Sequence, residues 1–273
     1  MSRRAAALLA IAFLAVAAYA IVRLIRHEQG VQPAIVTPAM DAQQEISPSL
    51  AGHIKRFFRE RVTYGNRRGR PKLIALTFDD GPYPVYTPLL LDELHTLGVP
   101  ATFFLIGRDA QQWPELAQRI ARFGNEIGDH TYTHPNLDAE SDDAVRGEIV
   151  QGARALAAIV PAATVYRLFR PPHGRYTVAT IRVAQRLGYD TILWNDDPGD
   201  WRSVTAAELT EHMERHATAP EIVLLHSGKL ATIQALPQVV ARFRAAGYRF
   251  TTVSGLLEAV PVPQINHPGK RAV

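Results

Sequence analysis

From Lys72 onward, short apolar runs alternate with longer stretches in which apolar residues recur every three or four positions. Leu73–Phe78 (LIALTF) is apolar on both faces, the pattern of a strand covered on both sides. Val85–Leu97 places Leu90, Leu91, Leu94 and Leu97 on one helical face. The same reading gives strands at Ala101–Ile106, Glu126–Asp129, Tyr166–Arg170, Tyr189–Trp194, Ile222–Leu225 and Tyr248–Val253. Helices fall at Pro114–Phe123, Ser141–Val160, Thr177–Leu187, Thr205–Ala217, Ile233–Ala246 and Ser254–Ala259. Gly124, Gly188 and Gly247 read as helix stops, and Ser141 followed by two Asp suits a helix start. Strands alternating with helices predict an α/β fold with a parallel sheet. Periodicity leaves a closed barrel and an open doubly wound sheet equally available. In both, ligands bind at the C-terminal ends of the strands.

Upstream the pattern changes. Ala5–Val22 is an uncharged run of 18 residues, nine of them Ala, with Arg3 and Arg4 before it and Arg23 and Arg26 after it. As a helix it is about 27 Å long, close to the roughly 30 Å of a hydrocarbon core. Two readings stand: a signal anchor, or a signal peptide cleaved after Ala18-Tyr19-Ala20. Either places the rest of the chain outside the cytoplasm, periplasmic or extracellular, held at the cell membrane in the first case and secreted in the second. The expected organisation is residues 1–26 as anchor or signal, 27–70 as linker with a basic segment, 71–260 as the folded domain and 261–273 as a tail.

Composition narrows the chemistry. The 273-residue chain is 47% hydrophobic and 21% charged, enough to build a sizeable core, and it has no Cys. Disulfides, Cys-ligated zinc, iron–sulfur clusters and thiol nucleophiles are excluded together. The net charge of +4 is concentrated: residues 51–72 hold eight basic residues and one acid, leaving the remainder at −3. That segment is a solvated linker or a patch for an anionic lipid or wall polymer. No nucleic-acid recognition motif accompanies it, so nucleic acid is not an expected partner, and no obligate protein partner is inferred.

Polar residues cluster just after five of the strands: Asp79-Asp80-Gly81-Pro82, His130-Thr131-Tyr132-Thr133-His134, Arg170-Pro171-Pro172-His173-Gly174, Asp197-Pro198-Gly199-Asp200-Trp201 and His226. Any one alone is an ordinary turn or surface group. In a parallel sheet all five converge on one rim. His130 and His134 share a face if their segment turns helically, and a carboxylate from another strand completes a facial set of three ligands with open positions, as catalytic metals have. Of the adjacent Asp79 and Asp80, one can bind metal while the other takes a proton from water. Arg170 can hold that second carboxylate charged. His226 can protonate a leaving group, oriented by Asp200. Together these spell metal-assisted hydrolysis of an amide.

Thr77–Pro82 (TFDDGP), His130–His134 (HTYTH), Arg170–Gly174 (RPPHG), Asp197–Trp201 (DPGDW) and Leu224–His226 (LLH), in this order, resemble the motifs of the polysaccharide deacetylases, which share the NodB homology domain and form carbohydrate esterase family 4. The resemblance covers residues 71–260. It implies a distorted (β/α)7 barrel and one divalent metal, usually zinc. It also implies hydrolysis of N-acetyl groups on a GlcNAc-containing polysaccharide such as peptidoglycan, an exopolysaccharide or chitin-like oligomers, with release of acetate. By the same resemblance Asp79 is the base and Asp80, His130 and His134 are the metal ligands. Arg170 partners the base, Asp200 tunes the acid His226, the His173 amide steadies the oxyanion, and Trp201 and Leu224 wall the acetyl pocket. Two positions depart from the pattern: His173 stands where Tyr is common, and Ser227 where Asp is frequent. Alternatives are a deformylase or deacetylase of a lipid-linked sugar or small amide, and an inactive glycan-binding homologue.

Overall fold

Strand β1 (Leu73–Asp79) is buried at every position. β2 (Thr102–Leu105), β3 (Glu126–Asp129), β4 (Val165–Phe169), β5 (Asp190–Thr191), β6 (Glu221–His226) and β7 (Arg249–Thr251) follow in chain order. All pair in parallel, in the order β5-β4-β3-β2-β1-β6. The structure, a computed structural model, describes residues 71–259. The N-terminal hydrophobic helix, the basic linker and the C-terminal tail expected from the sequence lie outside the described residues. No helix among the described residues is long and apolar enough to cross a membrane.

The expected barrel of seven staves is realised as a curled sheet. β7 leaves the sheet path and pairs with Leu73–Ala75 of β1, while β2 pairs with Thr77–Asp79. β5 is two residues long, not the six expected from Tyr189–Trp194. Beyond it the chain crosses to β6: Asp196 bridges Val223, and the Asn195 side chain accepts from the Ile222 N–H at 2.7 Å. An amide oxygen thus takes the place of a ladder carbonyl, and the curl is closed by an irregular segment.

Among the described residues eight α-helices surround the strands: α1 (Tyr86–Leu97), α2 (Gly107–Gln112), α3 (Pro114–Arg122), α4 (Asp142–Ile159), α5 (Val178–Arg186), α6 (Ala206–His216), α7 (Leu230–Ala245) and α8 (Val253–Ala259). Their starts follow capping chemistry. Thr177 and Thr205 form capping boxes with Thr180 and Glu208, and Ser141 accepts from the Ala144 N–H. Each such cap is worth about 1 kcal/mol.

The pleat divides the core in two. Ile74, Leu76 and Phe78 of β1, Phe103 and Leu105 of β2, and Val223 and Leu225 of β6 pack outward with the helices. The alternate residues Leu73, Ala75, Phe104, Leu168 and Ile222 pack inside the curl with Val253 and Leu256 of α8. Successive residues of a strand face opposite sides, so the inward series continues to Thr77 and Asp79 on β1 and to Leu224 and His226 on β6. The lower part of the interior is apolar apart from Thr102 and Glu126, which accept from the first N–H groups of α8, and its upper end carries the polar residues of the site.

Candidate active site

At that upper end Arg170, just past β4, is fully buried. Its Nη1 donates to Asp79 Oδ1 and to Thr77 Oγ1, both at 2.7 Å. Nε donates to the Ile192 carbonyl at 3.1 Å and Nη2 to the Leu193 carbonyl at 3.3 Å. The guanidinium lies over the Phe104 ring, 4.1 Å from its centre. Gly128 makes room for that ring, since a Cβ there would stand 2.7 Å from it. One cation thus fixes the Asp79 carboxylate from beneath.

Asp80 has the opposite parity and would face outward in a regular strand. It reaches the rim because its φ is 68°, in the left-handed region. Its Oδ1 lies 3.2 Å from His134 Nε2 and 3.7 Å from His130 Nε2, and the two Nε2 atoms are 3.2 Å apart. The three potential ligand atoms lie within 4.8 Å of one another. His130 Nδ1 is 2.8 Å from the Arg170 carbonyl. A carbonyl only accepts, so Nδ1 carries the proton and Nε2 keeps its lone pair. Burial also lowers the His130 pKa, against the pull of Asp79 and Asp80, which favours the neutral ring a ligand needs. Burial would raise the Asp80 pKa, but the hydrogen bond with His134 and the imidazoles of His130, His134 and His226 bring it down to about 2. An ionised carboxylate and two imidazoles form a donor set that suits a divalent ion.

The expectation that His130 and His134 share a helical face is not met. The segment between them is irregular, and Thr131 and His134 have φ of 68° and 66°. The rings meet through two left-handed residues.

His226 and Asp79 are register partners on neighbouring strands. Asp200 is buried and accepts three hydrogen bonds: His226 Nδ1 to Oδ1 at 2.7 Å, the His226 N–H to Oδ2 at 2.8 Å, and Thr232 Oγ1 to Oδ2 at 2.7 Å. Burial disfavours a charged His226, but the bonded carboxylate of Asp200, with Asp79 and Asp80 nearby, outweighs it and raises the pKa.

Of the expected pocket residues, Leu224 is buried on the inward face of β6, Trp201 is 49% exposed with Arg202 stacked 4.6 Å from its ring, and His173 is exposed with φ 56° and its ring 4.5 Å from that of His134.

A family model for polysaccharide deacetylases matches residues 66–192. The peptidoglycan-N-acetylglucosamine deacetylase of Bacillus cereus is 39% identical over 191 residues, covering 68% of this chain and 88% of that protein. The chain belongs to the polysaccharide deacetylase family. A chitooligosaccharide deacetylase of Azorhizobium caulinodans is 32% identical over 191 residues, covering 70% of this chain and 88% of its own. The fold matches the crystal structure of a peptidoglycan N-acetylglucosamine deacetylase in complex with 4-naphthalen-1-yl-N-oxidanyl-benzamide. The TM-score is 0.66 at 32% identity, over 69% of this chain and 89% of that one. Polysaccharide deacetylation is the activity these likenesses support.

Several residues around this deacetylase site were given no role from the sequence. Thr77 shares the inward parity of Asp79, and that parity is the signal that could have found it. Ser227 donates its hydroxyl to the carbonyls of Asp79 and Asp80, at 3.2 and 3.1 Å, and so ties the β6 end to the β1 turn. In the sequence it stands out only as a departure from the family pattern beside His226. Thr232 and Glu148 lie on helices, and nothing in their sequence surroundings marks them.

Proposed function

We propose that the protein is a metal-dependent N-deacetylase of a GlcNAc-containing polysaccharide, with peptidoglycan, exopolysaccharide and chitin-like oligomers as the substrate class and acetate as the released product. The observation that carries this reading is the pairing of two separately wired proton carriers, Asp79 with Arg170 and His226 with Asp200, beside the cluster of Asp80, His130 and His134.

Asp80, His130 and His134 would hold one divalent ion, zinc by family resemblance, which when bound supplies Lewis acidity to the amide carbonyl and to water. Asp79 takes the proton of the attacking water, and Arg170 keeps it oriented for that task. The backbone N–H of His173 is the donor for the oxyanion that develops on the substrate. His226 enters the reaction protonated, with Asp200 favouring that form, and passes its Nε2 proton to the leaving sugar nitrogen. An amine leaves poorly without that proton, so the acid matters as much as the base. Trp201 and Leu224 flank the acetyl group.

The N-terminal run Ala5–Ile25 would hold this domain at a membrane, facing an extracytoplasmic polymer. The basic segment 51–72 would keep it near an anionic surface. Acetate release from peptidoglycan, chitooligosaccharides and an N-acetylated exopolysaccharide, with and without a chelator, tests the reading. Chelator-sensitive release from at least one glycan is expected. Release only from small amides or lipid-linked sugars would favour the narrower substrate, and glycan binding without turnover at full metal loading would defeat the enzymatic reading.

A further inference from the structure

The segment His130–His134 has no repeating backbone structure, and its two left-handed residues each cost about 1–2 kcal/mol. Something outside the segment must hold it. Its N–H groups show what does. The His130 N–H donates to the Leu105 carbonyl at 3.0 Å, the Thr131 N–H to Asp129 Oδ1 at 2.8 Å, and the His134 N–H to Thr131 Oγ1 at 3.0 Å. The two between them converge on one side chain. Tyr132 N–H and Thr133 N–H both donate to Glu148 Oε2, at 3.0 and 2.8 Å, and Thr133 Oγ1 donates to Oε1 at 2.8 Å. On the other side the Thr131 and Tyr132 carbonyls accept from the N–H groups of Gly107 and Arg108, at 2.9 and 3.0 Å.

Glu148 reaches the segment from the second turn of α4, which lies unusually close. A Cβ at Gly152, one turn further on, would overlap the Asp129 carboxylate, and a Cβ at Gly107 would sit 2.8 Å from the Gly152 Cα. Two glycines bring α4 and α2 against the segment, and Glu148 clamps it with three charge-assisted hydrogen bonds.

The two imidazoles depend on this clamp unequally. The His130 ring is fixed directly, by Nδ1 on the Arg170 carbonyl, and its side chain is 2% exposed. His134 is 20% exposed and is placed by its backbone, which hangs from Thr131 and Thr133.

We propose that Glu148 is a positioning residue for the metal ligands, fixing the segment so that His134 Nε2 stays against Asp80 and His130. This rests on the metal-dependent reading above.

Zinc affinity of the full-length protein, measured by competition with a chromogenic chelator, tests it in Glu148→Met, Glu148→Asp and Glu148→Gln. Glu148→Met keeps the length and removes the acceptors; zinc should bind roughly 10–100-fold more weakly, the usual cost of losing a supporting partner. Glu148→Asp keeps the charge but falls short by one methylene, and should also weaken binding should the Met variant not fold. Glu148→Gln keeps an oxygen for both N–H groups and should restore near wild-type affinity. Amide hydrogen exchange at Tyr132 and Thr133, read without metal, should accelerate in the Met and Asp variants. Wild-type zinc affinity in the Met or Asp variant would overturn the proposal, as would Gln binding no better than Met, or unchanged exchange at both amides. A lower melting temperature with unchanged zinc affinity would show a purely structural role and overturn it too. Failure of the wild-type protein to bind zinc would instead count against the metal-dependent reading, and the exchange measurement would still judge the clamp.

Discussion

Replacing Arg170 by Met should destabilise the fold severely, and removing Asp79 as well should return much of the loss. Met fits the space beside Phe104 but donates nothing. Its first consequence is a buried carboxylate without its cation: Asp79 is 4% exposed, and Arg170 is fully buried. Breaking such a pair from one side costs about 3–5 kcal/mol. The carbonyls of Ile192 and Leu193 lose donors as well. Each adds about 1 kcal/mol. The total is about 5–7 kcal/mol, against a usual domain stability of about 5–15 kcal/mol. With a urea slope of about 2 kcal/mol/M, the midpoint should fall by roughly 2.5–3.5 M. The double variant Asp79→Asn/Arg170→Met leaves no uncompensated charge, and should recover about 2 kcal/mol or more relative to Arg170→Met alone. Urea unfolding with EDTA present keeps metal binding out of the comparison. A loss under about 1 kcal/mol in the single variant, or a double variant no more stable than the single, would refute the assignment of Arg170 as the counter-charge that makes a buried Asp79 tolerable.

Four further outcomes are expected. Purified protein should carry about one divalent ion per chain by elemental analysis, and joint replacement of His130 and His134 by Ala should abolish it; full retention would reject the ligand set. Asp79→Asn and His226→Ala should keep the ion yet lose roughly 10²–10⁴-fold in turnover, so wild-type rates in either would defeat the division of roles. His226 must be protonated to act as an acid, and Asp200 raises its pKa, so Asp200→Asn should move the alkaline limb of the kcat profile to lower pH; a limb that stays in place would count against the pairing. Full-length protein should fractionate with membranes, and neutralising Arg67, Arg68 and Arg70 should weaken binding to anionic vesicles in a salt-dependent way without slowing turnover of a small chitooligosaccharide; a mature N-terminus at Ile21 would show cleavage instead, and cytosolic full-length protein would contradict both.

Most strands and helices were legible because their causes are local. A strand covered on both faces must be apolar throughout, and LIALTF in β1 is. A helix packed on a sheet shows a stripe, and α1 does. α2 was not legible: six residues, GRDAQQ, are too few to carry a stripe, and it forms because its first N–H groups meet the Thr131 and Tyr132 carbonyls. The length of β5 was misread because Ile192-Leu193-Trp194 is apolar enough for a strand, while the chain turns away to bridge β6 at Asp196. At the site, motif positions told which residues gather at the rim. They did not tell how His130 and His134 approach one another, because that depends on left-handed backbone at Thr131 and His134, which no side-chain pattern announces. Nor did they point to Glu148 or Thr232, whose relevance arises only when a helix is laid against a distant segment.

The place of β1 in the sheet has a consequence for how the chain matures. Its second edge is completed by β6, and its lower half by β7, both from the far end of the sequence. While the ribosome works through the residues between Asp79 and Glu221, at about 5–20 residues per second, that edge stays bare for roughly 7–30 s. An open central strand of this kind seeks other partners. The carboxylates at its end lack the facing His226, and the Ser227 tie to their carbonyls, until β6 arrives, so the nascent domain stays unclosed, and without its chemistry, until nearly all of it has been synthesised.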